Sequence, residues 1–263
     1  MEIARRRLDR ALLHCEQLEG GLREFFRDRP FRVFLEHDRE LGRFLIRGRI
    51  LRQPPEEFSQ IAGDAIHNLR ASLDNLMWGF ARMHQDPPKR PRRVAFPIYD
   101  VKTAQSKKQP SWDVEGREAV DGVVAPAVAD VIEQFQPCIG SPEDPQGHLL
   151  WVLNLLWNEN KHRNPSVTAG ATVLWETVLQ DLVFVNTMIT PPLSYDGPFQ
   201  DGDALAWLDY DPAGSIEGEP DFRFALPVAF SADSAARGAN VQALLRQLHT
   251  FLLHSVLPAF ERL

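Results

Sequence analysis

Residues 54–83 read PPEEFSQIAGDAIHNLRASLDNLMWGFARM. Prolines in the opening turn, followed by Glu56 and Glu57, favour a helix start there. Phe58, Ile61, Ala62, Ala65, Leu69, Leu73, Leu76, Met77 and Phe80 then fall on one broad apolar stripe. The spacing predicts a helix from Pro55 to about Met83, ended before Pro87-Pro88. A stripe this wide has to be covered by other elements, and the chain supplies them on both sides.

Upstream, Ile3, Leu8, Ala11, Leu12, Cys15, Leu18, Leu22 and Phe25 predict a first helix over 2–27, weakened by Gly20-Gly21 and stopped by Pro30. Two alternating runs, Phe31–Glu36 and Arg43–Leu51, read as a hairpin. Its second strand carries Arg43, Arg47 and Arg49 on one face and Phe44, Ile46 and Ile50 on the other. Downstream, residues 86–123 are rich in Pro, Lys and Arg and read as a long surface connection, with one short extended segment at Val94–Tyr99. Helices are predicted over about 126–134 and 147–162, the second closed by Asn164-Pro165. The period then switches to two, giving strands over 171–178, 181–188, 204–210 and 222–230. Asn240 caps a last helix, 240–261, which Pro258 kinks or ends. The expected fold is α+β. One domain spans 1–263, with a helical bundle core from about 55–163 and 240–261 packed against an antiparallel sheet from the β-rich region 171–230. Phe184, Val178 and Phe224 belong to the inward face of that sheet.

The chain of 263 residues has a net charge of −7, which conceals an asymmetry. Residues 1–93 sum to +5 and residues 94–263 to −12. A basic region attracts phosphate, but these arginines alternate with carboxylates in the manner of a solvated face, so composition alone does not make a nucleic-acid binder. The two cysteines, Cys15 and Cys138, fit a reducing compartment. No secretory signal is expected in Met1–Arg7, and the apolar run Leu149–Trp157 is too short to span a bilayer. A cytoplasmic protein without a membrane partner is the expectation.

Candidate chemistry sits on two helices. His67, Arg70 and Asp74, at i, i+3 and i+7, occupy an arc of about 60° clear of the apolar stripe, with Asn68 and Asn75 beside them. Asn154, Asn158 and Lys161 repeat the theme on the 147–162 helix, with His162 at the edge. Polar stripes on otherwise apolar helices need partners, and the two satisfy each other by facing one another. In such a pocket His67 is the candidate acid/base, with His162 as a second proton-transfer group. Arg70 and Lys161 form an anion clamp, Asp74 orients, and Asn68, Asn75, Asn154 and Asn158 contact the ligand. The same residues also suit a buried structural network. No Gly-rich phosphate loop, nucleophile elbow, zinc spacing or dinucleotide fingerprint is present, so neither a metal nor a cofactor is expected.

The string from Asp64 to Asp74, followed by Phe96-Pro97-Ile98 and by Asn158-Glu159-Asn160-Lys161-His162-Arg163, resembles a pattern of uncharacterised bacterial and phage proteins. More weakly, the chain resembles HEPN-type helical domains, many of them metal-independent ribonucleases of toxin–antitoxin and antiphage defence systems. Their motif pairs an arginine with a histidine four to six residues later. Here Arg70 is followed after four residues by Asn75, and Arg32–His37 fits only on the hairpin. The resemblance implies an RNA-directed activity. The alternative is a non-catalytic protein that binds a ligand, a protein partner or a second copy of itself.

Overall fold

The computed structural model describes residues 1–88, 90–106, 108–162, 165–174, 183–188, 193–194, 196–218 and 223–263. The fold is α+β: helices with antiparallel sheets. The helices are α1 (Glu2–Arg27), α2 (Glu56–His84), α3 (Arg117–Val120), α4 (Pro126–Gln134), α5 (Pro137–Gly140), α6 (Leu149–His162), α7 (Val241–Phe251) and α8 (Leu257–Glu261). The strands are β1 (Phe31–Asp38), β2 (Arg43–Ile50), β3 (Val167–Leu174), β4 (Val183–Val185), β5 (Leu193–Ser194), β6 (Gly197–Pro198), β7 (Ala204–Asp209), β8 (Ser215–Glu217), β9 (Arg223–Ala225) and β10 (Val228–Phe230). Among the described residues no helix is long and apolar enough to cross a membrane.

The residues gather into two compact units. The first comprises Met1–Leu18, Ser59–Pro165 and Gln242–Leu263; the second comprises Glu19–Phe58 and Ser166–Val241.

The first unit is helical, and its core is the set of stripes the sequence shows. Leu8 and Ala11 of α1, Leu69 and Leu73 of α2, Leu150, Leu153 and Leu156 of α6, and Leu245 and Leu248 of α7 are all buried. Ile3, counted in the first stripe, is 61% exposed and belongs to the solvent side. Between α7 and α8 the backbone widens into a single π turn, Leu252–Val256, just ahead of Pro258. That turn absorbs the missing proline N–H without ending the rod. The stretch 86–123 is a correction to the sequence reading. It is no mere surface connection, because Phe96, Ile98, Trp112 and Val120 are all buried. Trp112 donates its indole N–H to Glu133 on α4 at 3.0 Å, and Arg117 donates to the other oxygen of the same carboxylate at 2.6 Å.

Two histidines of this unit give it a pH dependence. His148, just ahead of α6, accepts the Leu150 N–H on Nδ1 at 3.2 Å and meets the ring of Phe251 edge-on. His249 on α7 is 5% exposed. Burial lowers both side chains from the ordinary 6.5; for His249, Arg246 adds to the lowering, while a backbone bond at Leu8 and Asp9 oppose it. Both rings are therefore held neutral in the fold, while the unfolded chain binds protons below about pH 6.5. Their contribution is fully present above that value and is lost as pH falls through the depressed folded values. The melting temperature is expected to drop between about pH 7 and about pH 5, and His148→Gln combined with His249→Gln is expected to flatten that slope. An unchanged slope in the double variant would place the titration elsewhere.

The second unit is β-rich. β1 and β2 form the predicted hairpin, with Phe31 opposite Ile50 and Asp38 opposite Arg43. The four-residue loop closes on Gly42 at φ +62, where a Cβ would lie 2.2 Å from the Tyr210 carbonyl oxygen, so only glycine fits. β2 pairs next with β7, and β7 with β5, giving the order β1-β2-β7-β5. Phe44, Ile46, Ala206, Leu208, Tyr210 and Ile216 form its core, with Val33, Leu35 and Phe224 packed against it. The expected 222–230 strand is two strands broken at Leu226-Pro227, and both pair with β3. Proline has no N–H to give the ladder, which explains the break. Phe224 is half-buried, whereas Val178 and the Phe184 side chain lie outside what is described.

The arginine row of β2 is taken up by acids. Arg43 binds both carboxylate oxygens of Asp209, one at 2.9 Å, and Arg47 donates to Glu36 at 2.7 Å and to the Gly202 carbonyl at 3.0 Å. Arg49 stands 3.6 Å from Asp201. These pairs answer the charge question raised by the sequence: the row is an ion-pair ladder across the sheet.

Candidate functional site

α2 and α6 meet. Gly63 on α2 faces Asn160 on α6, whose amide donates to the Gly63 carbonyl at 3.0 Å. A Cβ at Gly63 would lie 2.5 Å from the Asn160 oxygen, so the glycine permits the close approach. Seven residues on, the guanidinium of Arg70 lies 5.0 Å from the centre of the Trp157 ring. Position 63 matching 160 and 70 matching 157 means that the two helices run antiparallel.

Arg70 is 4% exposed. One terminal nitrogen donates to the Phe96 carbonyl at 2.8 Å and lies 3.2 Å from Asp74, one turn along the helix. Asp74 in turn accepts the Phe96 N–H at 3.0 Å. The two side chains thus clamp both backbone groups of one residue. The remaining Nε and Nη1 of Arg70 are buried with no hydrogen-bond partner. Burial lowers the Arg70 pKa, with Asp74 opposing.

The same extended segment is held from its other side by Gln136, wholly buried just beyond α4. Its oxygen accepts the Tyr99 N–H at 3.0 Å, and its nitrogen donates to the carbonyls of Pro97 at 2.9 Å and Ile132 at 3.0 Å. The Phe-Pro-Ile stretch therefore carries buried peptide groups whose partners are side chains, not a neighbouring strand.

Lys161 completes the cluster. Its Nζ sits 3.2 Å from the Trp157 ring centre and the same distance from the Asn158 oxygen. The residue is exposed overall, yet its ammonium rests on the indole face in a cation–π contact. Desolvation of that tip, then the nearby Arg70 charge, lowers its pKa, with Asp74 opposing. Two cations share a single indole, held by the negative face of the ring, while Asp74 pairs with one of them.

The structure thus brings Arg70, Asp74, Asn158 and Lys161 together. It does not bring His67 to them through any recorded hydrogen bond or ion pair: His67 is exposed on α2. His162 is exposed at the end of α6, and Arg163 lies outside the described residues. Asn68 is 6% exposed and spends its amide inside the fold, donating to the Asp64 carbonyl at 2.9 Å and accepting from Arg7 at 3.2 Å. Asn75 donates to the Ala71 carbonyl at 2.8 Å, and Asn154 is half-buried one turn before Asn158. Trp157, Asn160 and Gln136 were not singled out by sequence. The glycine within the α2 polar arc was the one available sign of Asn160. Among the described residues no group of three His, Cys, Asp or Glu side chains is arranged to hold a metal ion. Comparison of the chain with protein-family models, with curated proteins and with solved structures finds no match, which leaves the chemistry of this cluster to carry the functional reading.

Proposed function

We propose that the protein is a non-catalytic binding or regulatory protein of the cytoplasm. In this reading Arg70 and Asp74 are structural, and the rim formed by Asn158, Lys161 and His162 meets an anionic ligand. One observation carries the reading: the buried arginine of the cluster turns its available bonds inward onto Phe96, where no substrate reaches it. The rim cation, by contrast, is exposed and only partly neutralised, since Asp74 is the one carboxylate facing both Arg70 and Lys161 in this cluster. An anion arriving at Lys161 relieves that excess charge.

A second reading, metal-independent RNA cleavage of the HEPN kind in a defence or toxin setting, is supported by the exposure of His67 and His162, whose imidazoles are open to a substrate. One experiment tests both. Labelled single-stranded RNA is incubated with the protein, with and without chelator, and binding is followed at several salt concentrations. Salt-sensitive binding without cleavage, weakened by Lys161→Gln and kept by Arg70→Met, is the expected result. Chelator-resistant cleavage lost in His67→Ala or His162→Ala would overturn it in favour of the second reading.

A further inference from the structure

The arginine-rich turn after α2 borders a cavity. It holds about 180 Å³ and is lined from one end of the long connection by Arg90, Arg93 and Val94, and from the other by Glu115, Glu118, Ala119 and Val123. Arg90 and Glu118 bridge each other at 2.8 Å, and both are more than half exposed, so their charges cancel. Arg93 and Glu115 are different. The Arg93 side chain has no hydrogen-bond or ion-pair partner among the described residues. Glu115 accepts the Ser111 N–H on one oxygen at 2.8 Å and pairs with no cation among the described residues. Val94, Ala119 and Val123 are half-buried and give the cavity an apolar lining.

Among the described residues the cavity thus presents an unpaired guanidinium, an unpaired carboxylate and an apolar surface, which specify a ligand with the opposite features. We infer that the cavity binds a small zwitterion with an apolar side chain, of the class of the free hydrophobic α-amino acids. The ligand carboxylate meets the Arg93 guanidinium, its ammonium meets Glu115, and its side chain lies along Val94, Ala119 and Val123. The volume is sufficient for a small metabolite. The charges also discriminate. With Arg90 and Glu118 neutralising each other, Glu115 disfavours a phosphate chain and Arg93 disfavours a simple cation. This site is separate from the α2–α6 cluster and does not depend on the reading of that cluster.

Calorimetric titration of the intact protein with L-leucine and L-phenylalanine tests the inference, with L-leucinamide and 4-methylpentanoate as probes lacking one charge each. L-leucine is expected to bind, and each single-charge probe to bind at least about tenfold more weakly. Arg93→Gln is expected to weaken L-leucine by about tenfold while leaving L-leucinamide unchanged, and Glu115→Gln to do the reverse for the ammonium, sparing 4-methylpentanoate. Arg93 is exposed, and a glutamine at 115 still offers an oxygen to the Ser111 N–H, so both variants keep the fold. Absence of heat with either amino acid overturns the inference, as does binding that both variants leave intact. A polyuridylate titration lost in Arg92→Gln/Arg93→Gln, with no amino-acid binding, would overturn it by making the turn a polyanion contact.

Discussion

Arg70→Ala is expected to destabilise the helical unit by about 3 kcal/mol, and Arg70→Met by less, about 2 kcal/mol. The contrast follows from what each change leaves behind. Alanine removes the cation from a carboxylate that is only 29% exposed, strips the Phe96 carbonyl of its donor and opens a hole beneath Trp157. Methionine leaves the same carboxylate and carbonyl without the arginine, but it fills the space. Asp74 keeps its bond from the Phe96 N–H in either case. Urea unfolding followed by tryptophan fluorescence measures the difference. An unchanged midpoint in Arg70→Ala would mean that the arginine is not holding the segment.

Gln136→Ala is the second large effect, about 3 kcal/mol. The side chain is wholly buried and serves three backbone groups, so its loss leaves the Tyr99 N–H and the Pro97 and Ile132 carbonyls unpaired at once. Gln136→Glu sharpens the test. Its carboxylate keeps the acceptor for Tyr99 but faces two carbonyl oxygens with no proton to give, so its folded pKa is raised above its unfolded value. The variant should be less stable than Gln136→Ala at neutral pH and should recover as pH falls and the acid becomes a donor. A pH-independent loss would show that charge burial is not the cause.

The helices were legible because their apolar residues recur at three and four. α1 and α4 begin and end where the spacing places them, and α2 and α6 agree within two residues. The hairpin was legible from its alternation, and so was the choice of helix faces for the polar cluster. What the sequence could not separate was His67 from Arg70. They lie about 60° apart on one helix, and that angle spans the line between solvent and the contact with α6. Trp157 was counted as one more apolar residue, though it is the surface on which both cations rest. The ties on Phe96–Tyr99 were invisible for another reason. Their donors and acceptors lie 22 to 39 residues away along the chain, on elements whose packing has to exist before the pairing does. Periodicity reports the face of an element and carries no record of which backbone groups a side chain will reach.

An extended run ordinarily exposes a row of peptide groups on which a foreign strand can grow, and proteins blunt such rows with charges, prolines or bulges. Phe96–Tyr99 is guarded differently. The peptide groups at Phe96, the Pro97 carbonyl and the Tyr99 N–H are occupied by Asp74, Arg70 and Gln136, and the Tyr99 carbonyl takes the Cys138 N–H at 3.3 Å. Side chains cannot be copied from molecule to molecule as a ladder can. The peptide groups tied down in this way are not free to template a foreign strand.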